Sequence, residues 1–274
     1  MWRLKLLLSV IVCLHTLIEA RSKGYRLGEL EGAVVYLANA TTIHIPSLRL
    51  PRGSNFRIYA DDVPGDMYIR GKHGGTDMEY LRKVSALSNS NERDFVVVVF
   101  EDSVTNAREL QMMKLSRPIA TMRIDVSRRD VPQPYELRSR LRATPQGKGY
   151  KVGTEDNIVL LSDQSILLPK FSFTGHPPDA YIYVGNEEKF IDDEDDDGAY
   201  RNYVRGYDRY SSEPQPMKRQ WDEEDIIVDL AQPISKDDDF ISLFCYAYRV
   251  NFGMARLPFI DLESLPPYTP PVRS

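Results

Sequence analysis

Short runs of β-branched and aromatic residues, separated by turn residues, recur along most of the chain. Recurrent short strands with little helical periodicity are typical of an all-β sandwich or barrel. The run FVVVVF at 95–100 is continuous and apolar, which predicts a strand that is buried on both faces. The predicted strands are 32–37, 41–45, 56–60, 95–100, 118–124, 157–161, 165–168, 180–184, 225–230 and 240–250.

One window departs from the β pattern. Residues 102–115, DSVTNARELQMMKL, predict a short helix between two strands. Met112, Met113 and Leu115 are predicted to fill the core, because methionine and leucine side chains pack well in irregular apolar gaps.

The N-terminal residues have the three parts of a secretory signal peptide. Arg3 and Lys5 are basic, residues 6–17 are mostly apolar, and Ala20 offers a small residue for cleavage. The alternative is a membrane anchor, which needs about 20 apolar residues, more than this segment has. We therefore expect a signal peptide over 1–20 and a secreted, extracellular protein. The rest of the sequence predicts neither a membrane span nor a lipid anchor.

Composition narrows the class of protein further. An apolar fraction of 42% and an aromatic fraction of 10% suit a globular protein with real cores. A formal net charge of -5 argues against nucleic acid as a partner. Of two cysteines, Cys13 lies in the predicted signal peptide, which leaves Cys245 alone. A single cysteine in an oxidising compartment indicates an intermolecular disulfide, a reactive thiol or a buried thiol.

Known catalytic and metal-binding patterns are not visible. His44, His73 and His176 lie far apart, so no zinc or copper site is expected. The sequence has no P-loop, no nucleophile elbow and no dinucleotide-binding motif, and it favours a non-enzymatic role over an enzymatic one. Asn39-Ala40-Thr41 is a glycosylation sequon just before a predicted strand, so Asn39 is a candidate glycan site.

Composition also predicts the domain organisation. The segment 127–149 is basic and proline-bearing, and we interpret it as a linker between two β domains. Its arginines predict a solvated tether, a contact with acidic polysaccharide or a protease site. The predicted divisions are a signal peptide 1–20, a first β domain 24–126, the linker 127–149, a second β domain 150–260 with an insertion 186–220, and a proline-rich, extended tail 261–274.

The insertion is acidic and rich in tyrosine. Its acidic run 192–197 is too crowded for an EF-hand loop, whose ligands alternate around a glycine. A disordered, self-repelling loop is favoured over a weak calcium contact. The segments 42–46 and 165–169 align without a gap, which predicts that the two β domains arose by tandem duplication.

Two segments of the second half form a specific pattern. They are FSFTGHPPDAYIYVG at 171–185 and ISLFCYAYRVNFG at 241–253. Together they resemble the DM-thirteen domain family over about 150–258, and residues 27–125 resemble a divergent copy. Tandem copies occur in Skeletor-like and Knickkopf-like extracellular proteins. The residues that carry the resemblance are Pro178, Asp179, Ala180, Tyr181, Gly185, Cys245, Asn251, Phe252 and Gly253.

Local geometry of the motif follows from strand alternation. Residues 177–179 predict a turn, after which Tyr181 and Tyr183 share one strand face. We place Cys245 and Arg249 on one long last strand, and we expect Asn251 to open a closing turn at 251–253.

Two functions are compatible with these features. The first is a secreted structural or binding module of an extracellular, cuticle-type matrix, with a polymer or matrix protein as partner. The alternative is a redox or electron-transfer accessory protein. The resemblance implies that its single cysteine, here Cys245, acts as a thiol or holds a prosthetic group such as haem. A reactive thiolate needs nearby positive charge, which His176 would have to supply in space.

Overall fold

The structure is a computed structural model that describes residues 24–48, 50, 54–72, 79–88, 95–186, 204–211 and 215–273. The predicted signal peptide, His73 and the acidic run 192–197 lie outside the described residues. Within them the chain is almost entirely β and forms no α-helix, only short 3-10 turns at Val104–Asn106, Arg128–Asp130 and Leu262–Ser264. None of the described helical segments has the length and apolar character needed to span a membrane.

The first half is a two-sheet sandwich. Its strands are β1 (Tyr25–Leu30), β2 (Ala33–Asn39), β3 (Thr42–Ile45), β4 (Ser54–Ala60), β5 (Val63–Pro64), β6 (Asp66–Lys72), β7 (Glu79–Val84), β8 (Leu87–Ser88), β9 (Val96–Val99), β10 (Glu109–Lys114) and β11 (Arg117–Arg123). One sheet runs β1-β2-β3-β9-β6-β7, and the other runs β11-β10-β4-β5 with β8 beside β4. Apolar side chains from both sheets meet in one core that includes Val35, Ile43, Phe56 and Leu110.

The second half is a closed barrel. Its strands are β12 (Tyr135–Glu136), β13 (Arg142–Ala143), β14 (Val152–Thr154), β15 (Val159–Ser162), β16 (Ser165–Phe173), β17 (Ala180–Gly185), β18 (Val204–Asp208), β19 (Trp221–Leu230), β20 (Phe240–Cys245) and β21 (Val250–Arg256). The order β16-β14-β13-β21-β20-β17-β18-β19 closes on itself through a β19–β16 pairing, which makes eight strands. Closure removes the free sheet edges that would otherwise pair with other chains.

The prediction of a strand buried on both faces at 95–100 is confirmed. Val96 and Val98 point into the sandwich core, and Val97 is fully buried on the other face. The helix predicted over 102–115 is wrong, because β10 occupies its second half. Met112 is buried as predicted, but Leu115 is 79% exposed. Leu115 and Ser116 both have positive φ and form the two-residue turn between β10 and β11, a hairpin geometry that points side chains to solvent.

The linker predicted over 127–149 is wrong for much of its length. Strands β12 and β13 pair with β15 and β21 and so belong to the barrel sheet. Leu137 and Leu141 are buried in the barrel core, with the arginines between and after them exposed. Arginine and proline content suggested a tether, whereas Leu137 and Leu141, four positions apart, anchor this segment to the barrel.

The C-terminal tail joins the two halves. Leu265 is buried in the barrel core, and a final strand, β22 (Val272–Arg273), pairs in parallel with β7 of the sandwich. The backbone N–H of Leu81 also donates to the carbonyl of Pro271 at 2.8 Å. The tail thus packs against both halves and begins with a 3-10 turn at Leu262–Ser264.

The proposed duplication corresponds to one hairpin in each half. The aligned segments lie in β3 and β16, which form hairpins with β2 and β15, each with an irregularity in register. Beyond these hairpins the strand orders differ: β9 lies between β3 and β6, whereas β19 lies between β16 and β18. That the first half is a divergent copy of the second stays a prediction.

Candidate functional site

The two motif segments become neighbouring strands of the barrel. β17 and β20 pair antiparallel from Ala180 opposite Cys245 to Gly185 opposite Phe240. The N–H of Tyr246 donates to the carbonyl of Asp179 at 3.1 Å, which extends the pairing into the turn before β17. Residues that lie far apart in sequence are therefore brought together on one part of the barrel wall.

Strand alternation divides the motif between two faces, as predicted. Ala180, Ile182, Leu243 and Cys245 face the barrel core. Opposite residues of an antiparallel pair project to the same face, so Cys245 lies between Ala180 and its other partner, Val250. The thiol is free of any disulfide and is fully buried among small and aliphatic side chains. Of the three states predicted for this cysteine, the structure shows the buried thiol.

The residues around Cys245 do not fit a haem. A macrocycle that reaches this sulfur would have to enter the barrel core and displace side chains packed without exposed surface. His176 does not bond to the thiol: its Nδ1 lies 3.3 Å from the Lys218 carbonyl and its Nε2 lies 3.0 Å from Gln220 Nε2. In the described part of the chain, no three His, Cys, Asp or Glu side chains cluster in a way that could hold a metal ion.

The outer face of the same strands carries an aromatic cluster. Tyr181 lies 6.0 Å from Tyr183 and 5.6 Å from Tyr207, and Tyr183 lies 6.1 Å from Phe244, all between ring centroids and all edge-to-face. The guanidinium of Arg205 sits 4.4 Å from the Tyr181 ring centroid. Such edge-to-face and cation–π contacts stabilise a packed aromatic surface.

Burial perturbs the tyrosines of this cluster. It raises the pKa of the Tyr183 hydroxyl to about 12, with the positive charge of Arg205 acting in the opposite direction. Burial also raises the pKa of Tyr181. Both phenols therefore stay protonated at neutral pH, and the cluster presents no phenolate.

The last motif segment folds differently from the prediction. A single strand running from Cys245 past Arg249 is wrong, because β20 ends at Cys245 and a four-residue turn precedes β21. The closing turn predicted at 251–253 is wrong as well, because these residues lie within β21. Asn251 accepts a 3.0 Å hydrogen bond from the Ser242 hydroxyl, and its N–H donates to Gln146 Oε1 at 2.8 Å. Its role here is to hold β21 against its neighbours.

The turn between β20 and β21 exposes two tyrosines. Tyr246 is 41% and Tyr248 is 67% exposed, and Arg249 next to them has a positive φ of 52°. Tyr150 is 45% exposed and lies edge-to-face against Phe252 of β21, with ring centroids 5.0 Å apart. Exposed aromatic rings thus occur both on this turn and on the loop that packs beside the start of β21.

The candidate glycan site Asn39 is the last residue of β2, and the rest of its sequon, Ala40 and Thr41, forms the β2–β3 turn. Asn39 is exposed, and its Oδ1 accepts hydrogen bonds from the Thr41 N–H at 3.0 Å and hydroxyl at 3.2 Å. The side chain is accessible from solvent. Its glycosylation remains a prediction.

Sequence reasoning missed several residues of this region. Arg205 and Tyr207 alternate along β18, inside the segment interpreted as an insertion, and both contact the aromatic cluster. The alternating pattern VRGYD was the signal for a strand there. The exposure of Tyr246 and Tyr248 had no such signal, because it depends on where β20 ends.

Comparisons with known proteins locate the match in the barrel. Residues 148–257 match the family model described as Electron transfer DM13. Protein Skeletor, isoforms B/C, of Drosophila melanogaster is 29% identical over 133 residues, which is 47% of this chain and 14% of that protein. Protein Skeletor, isoforms D/E, of the same organism is 29% identical over 133 residues, which is 47% of this chain and 8% of that protein. The chain thus spans only a small part of these relatives' length, and no solved structure matches it.

Proposed function

We propose, from the premise that residues 148–257 form a DM13 domain, that this protein is a secreted module that binds an extracellular, cuticle-type matrix. The N-terminal sequence pattern supports secretion. The fully buried, apolar setting of Cys245 supports a structural use of this cysteine over a reactive one.

One observation carries the proposal. The β20–β21 turn exposes Tyr246 and Tyr248 at the end of a barrel hairpin. Large aromatic rings contribute contact area at little cost in side-chain entropy, and two exposed rings on one short turn suit an extended polymer. The adjoining loop adds Tyr150, which Phe252 orients.

The test is binding of the purified secreted protein to insoluble chitin, measured as the fraction depleted from solution. The variant Tyr246→Ala/Tyr248→Ala removes both rings of the turn. The matched control is Tyr135→Ala/Tyr210→Ala, which removes two tyrosines with similar exposure, 42% and 72%, elsewhere on the surface.

We expect the turn variant to lose at least tenfold in apparent affinity, and the control to remain within twofold of the parent protein. A parent protein that stays in solution at all chitin loads would refute this polymer as the ligand. Equal binding by the two variants would refute the turn as the binding surface.

The second candidate function is a redox or electron-transfer accessory role. The description of the matching family favours it, and so does the row of ring contacts from Tyr207 through Tyr181 and Tyr183 to Phe244, the residue before Cys245. In this case the Cys245 thiol would react in the native protein, or the purified protein would carry a chromophore.

Thiol labelling separates the two candidates. We expect Cys245 to label only after unfolding, in a protein that runs as a monomer on a non-reducing gel and has no Soret absorption. Rapid labelling of the native protein, a disulfide-linked dimer or a Soret band would favour the redox role instead.

A further inference from the structure

A cleft on the barrel is lined by four arginines. It has a volume of about 550 Å³ and is open to solvent on one side. Its walls come from the segment before and within β13, from the end of β21 and from the loop before β15. The lining residues are Arg138, Ser139, Arg140, Arg142, Asn157, Met254, Ala255 and Arg256.

Three of these arginines come from one short segment of the chain. Leu137 and Leu141 are buried, and the arginines at 138, 140 and 142 are exposed. The chain bends at Arg138 and becomes strand β13 only at Arg142, so the spacing is not that of a regular strand. All three side chains nevertheless line the cleft and form a row of arginines there.

Hydrogen bonds hold this row in place. The Leu137 N–H donates to the Ile158 carbonyl at 2.8 Å, and the Ile158 N–H donates to the Ser139 carbonyl at 3.0 Å. On the other side, the Arg256 N–H donates to Ser139 Oγ at 3.1 Å. The segment is thus fixed to both neighbouring strands, and the cleft is part of the folded barrel.

The charge of the cleft is strongly one-sided. The residues that line it include no carboxylate. Among the residues that the structure describes, Arg138, Arg140 and Arg142 have no carboxylate within ion-pair distance. Carboxylates on nearby loops have other partners: Glu155 and Asp156 face Lys170, and Glu136 accepts from Asn157.

We propose that this arginine cleft binds an acidic polysaccharide that carries sulfate groups. Arginine forks match oxyanions through paired hydrogen bonds, so a row of them selects a chain with repeated anionic groups. The cleft has few apolar surfaces besides Met254, whereas protein partners usually insert large apolar anchors. The overall net charge of -5 disfavours nucleic acid.

This site is separate from the aromatic turn of the proposed function. The turn precedes β21 at Val250, and the cleft uses Met254, Ala255 and Arg256 at the other end of that strand. At about 3.3 Å per residue, Val250 lies roughly 13 Å from Met254 and roughly 20 Å from Arg256. Either can therefore fail in experiment without the other.

Titration of the full secreted protein with a heparin oligosaccharide tests the proposal. The cleft variant is Arg138→Gln/Arg140→Gln/Arg142→Gln. The control is Arg117→Gln/Arg123→Gln/Arg129→Gln, which removes the same charge from exposed arginines elsewhere. Thermal melting of all three proteins verifies that they are folded, and polyglutamate of similar charge serves as the competing ligand.

We expect Kd for heparin to rise at least tenfold in the cleft variant and to change less than threefold in the control. The salt dependence of binding should also become shallower only in the cleft variant. Equal losses in both variants would overturn the proposal in favour of unspecific charge attraction. Tighter binding of polyglutamate than of heparin would overturn it in favour of an acidic peptide.

Discussion

His44 Nε2 lies 2.9 Å from Thr269 Oγ1, across a sequence separation of 225 residues. His44 is in the middle of the sandwich sheet, and Thr269 is in the C-terminal tail. The carbonyl of Thr269 also accepts from Arg209 Nη2 of the barrel at 3.3 Å. A single tail residue thus contacts polar side chains from both halves, and these contacts connect the stability of the two.

The first prediction concerns pH. Burial, and secondarily the charge of Arg70, lowers the pKa of His44 from 6.5 to about 3. Because the unfolded state binds more protons between these values, the free energy of unfolding falls as pH drops from about 6.5 towards 3. One such shift corresponds to at most about 4–5 kcal/mol. Urea unfolding at a series of pH values measures it.

The variant His44→Gln isolates this effect, because glutamine can bond Thr269 but does not titrate. We expect its stability to vary less with pH than that of the parent, with the two curves converging towards low pH. Parallel curves between pH 6.5 and 4 would contradict the assignment.

The second prediction concerns the buried pair Arg209–Asp229. Arg209 Nη2 donates to Asp229 Oδ1 at 2.6 Å and Nε donates to Oδ2 at 2.9 Å, while Asp229 is fully buried. Removal of one partner leaves the other uncompensated, so Arg209→Met should cost about 3–5 kcal/mol in denaturant unfolding.

The double variant Arg209→Met/Asp229→Asn should recover part of that loss. Lys83→Met, which breaks an exposed pair with Asp66, should leave the unfolding midpoint unchanged. A midpoint for Arg209→Met that matches the Lys83→Met control would show that the buried pair adds nothing.

The third prediction concerns the tail. Removal of residues 265–274 exposes the sites now covered by Leu265 and Tyr268, both buried. By comparison with large-to-small core substitutions, the free energy of unfolding should fall by about 3–5 kcal/mol. Hydrogen exchange should become faster in β7, which loses β22. Unchanged protection of the Leu81 amide would contradict the observed pairing.

The fourth prediction tests whether the arginine segment is docked. Gly153 has a φ of +143°, and a Cβ there would lie 2.6 Å from the Leu141 carbonyl oxygen. Gly149 has a φ of +110° with open space around it. Both alanine variants strain the backbone, but only the Cβ of Gly153→Ala also clashes with the arginine segment, at Leu141. We expect the Gly153 variant to melt at a clearly lower temperature than the Gly149 variant. Equal melting temperatures would mean that the arginine segment moves aside and is not firmly docked.

Local patterns predicted much of the β architecture. The apolar run around Val97, the turn before Ala180 and the opposite faces of Tyr181 and Ile182 depend on neighbours in sequence, and all were predicted. The barrel closure depends on strands whose paired residues are up to 64 positions apart, such as Ser165 with Asp229. The arginine cleft and the tail depend on partners more than 100 residues away, such as Arg142 with Met254. Alternation of side chains also cannot reveal where a strand ends, which is why the turn after Cys245 was missed.

The pairing of β22 with β7 has a consequence for synthesis. A nascent chain emerges from its N-terminus, so β7 is formed long before residues 272–273 leave the ribosome. During that interval the sandwich presents an open edge, to which strands of other chains can add. The edge at β7 is covered only when the barrel has been synthesised and the tail has paired with β7. Assistance by chaperones should therefore matter most to a chain that has already folded its first half.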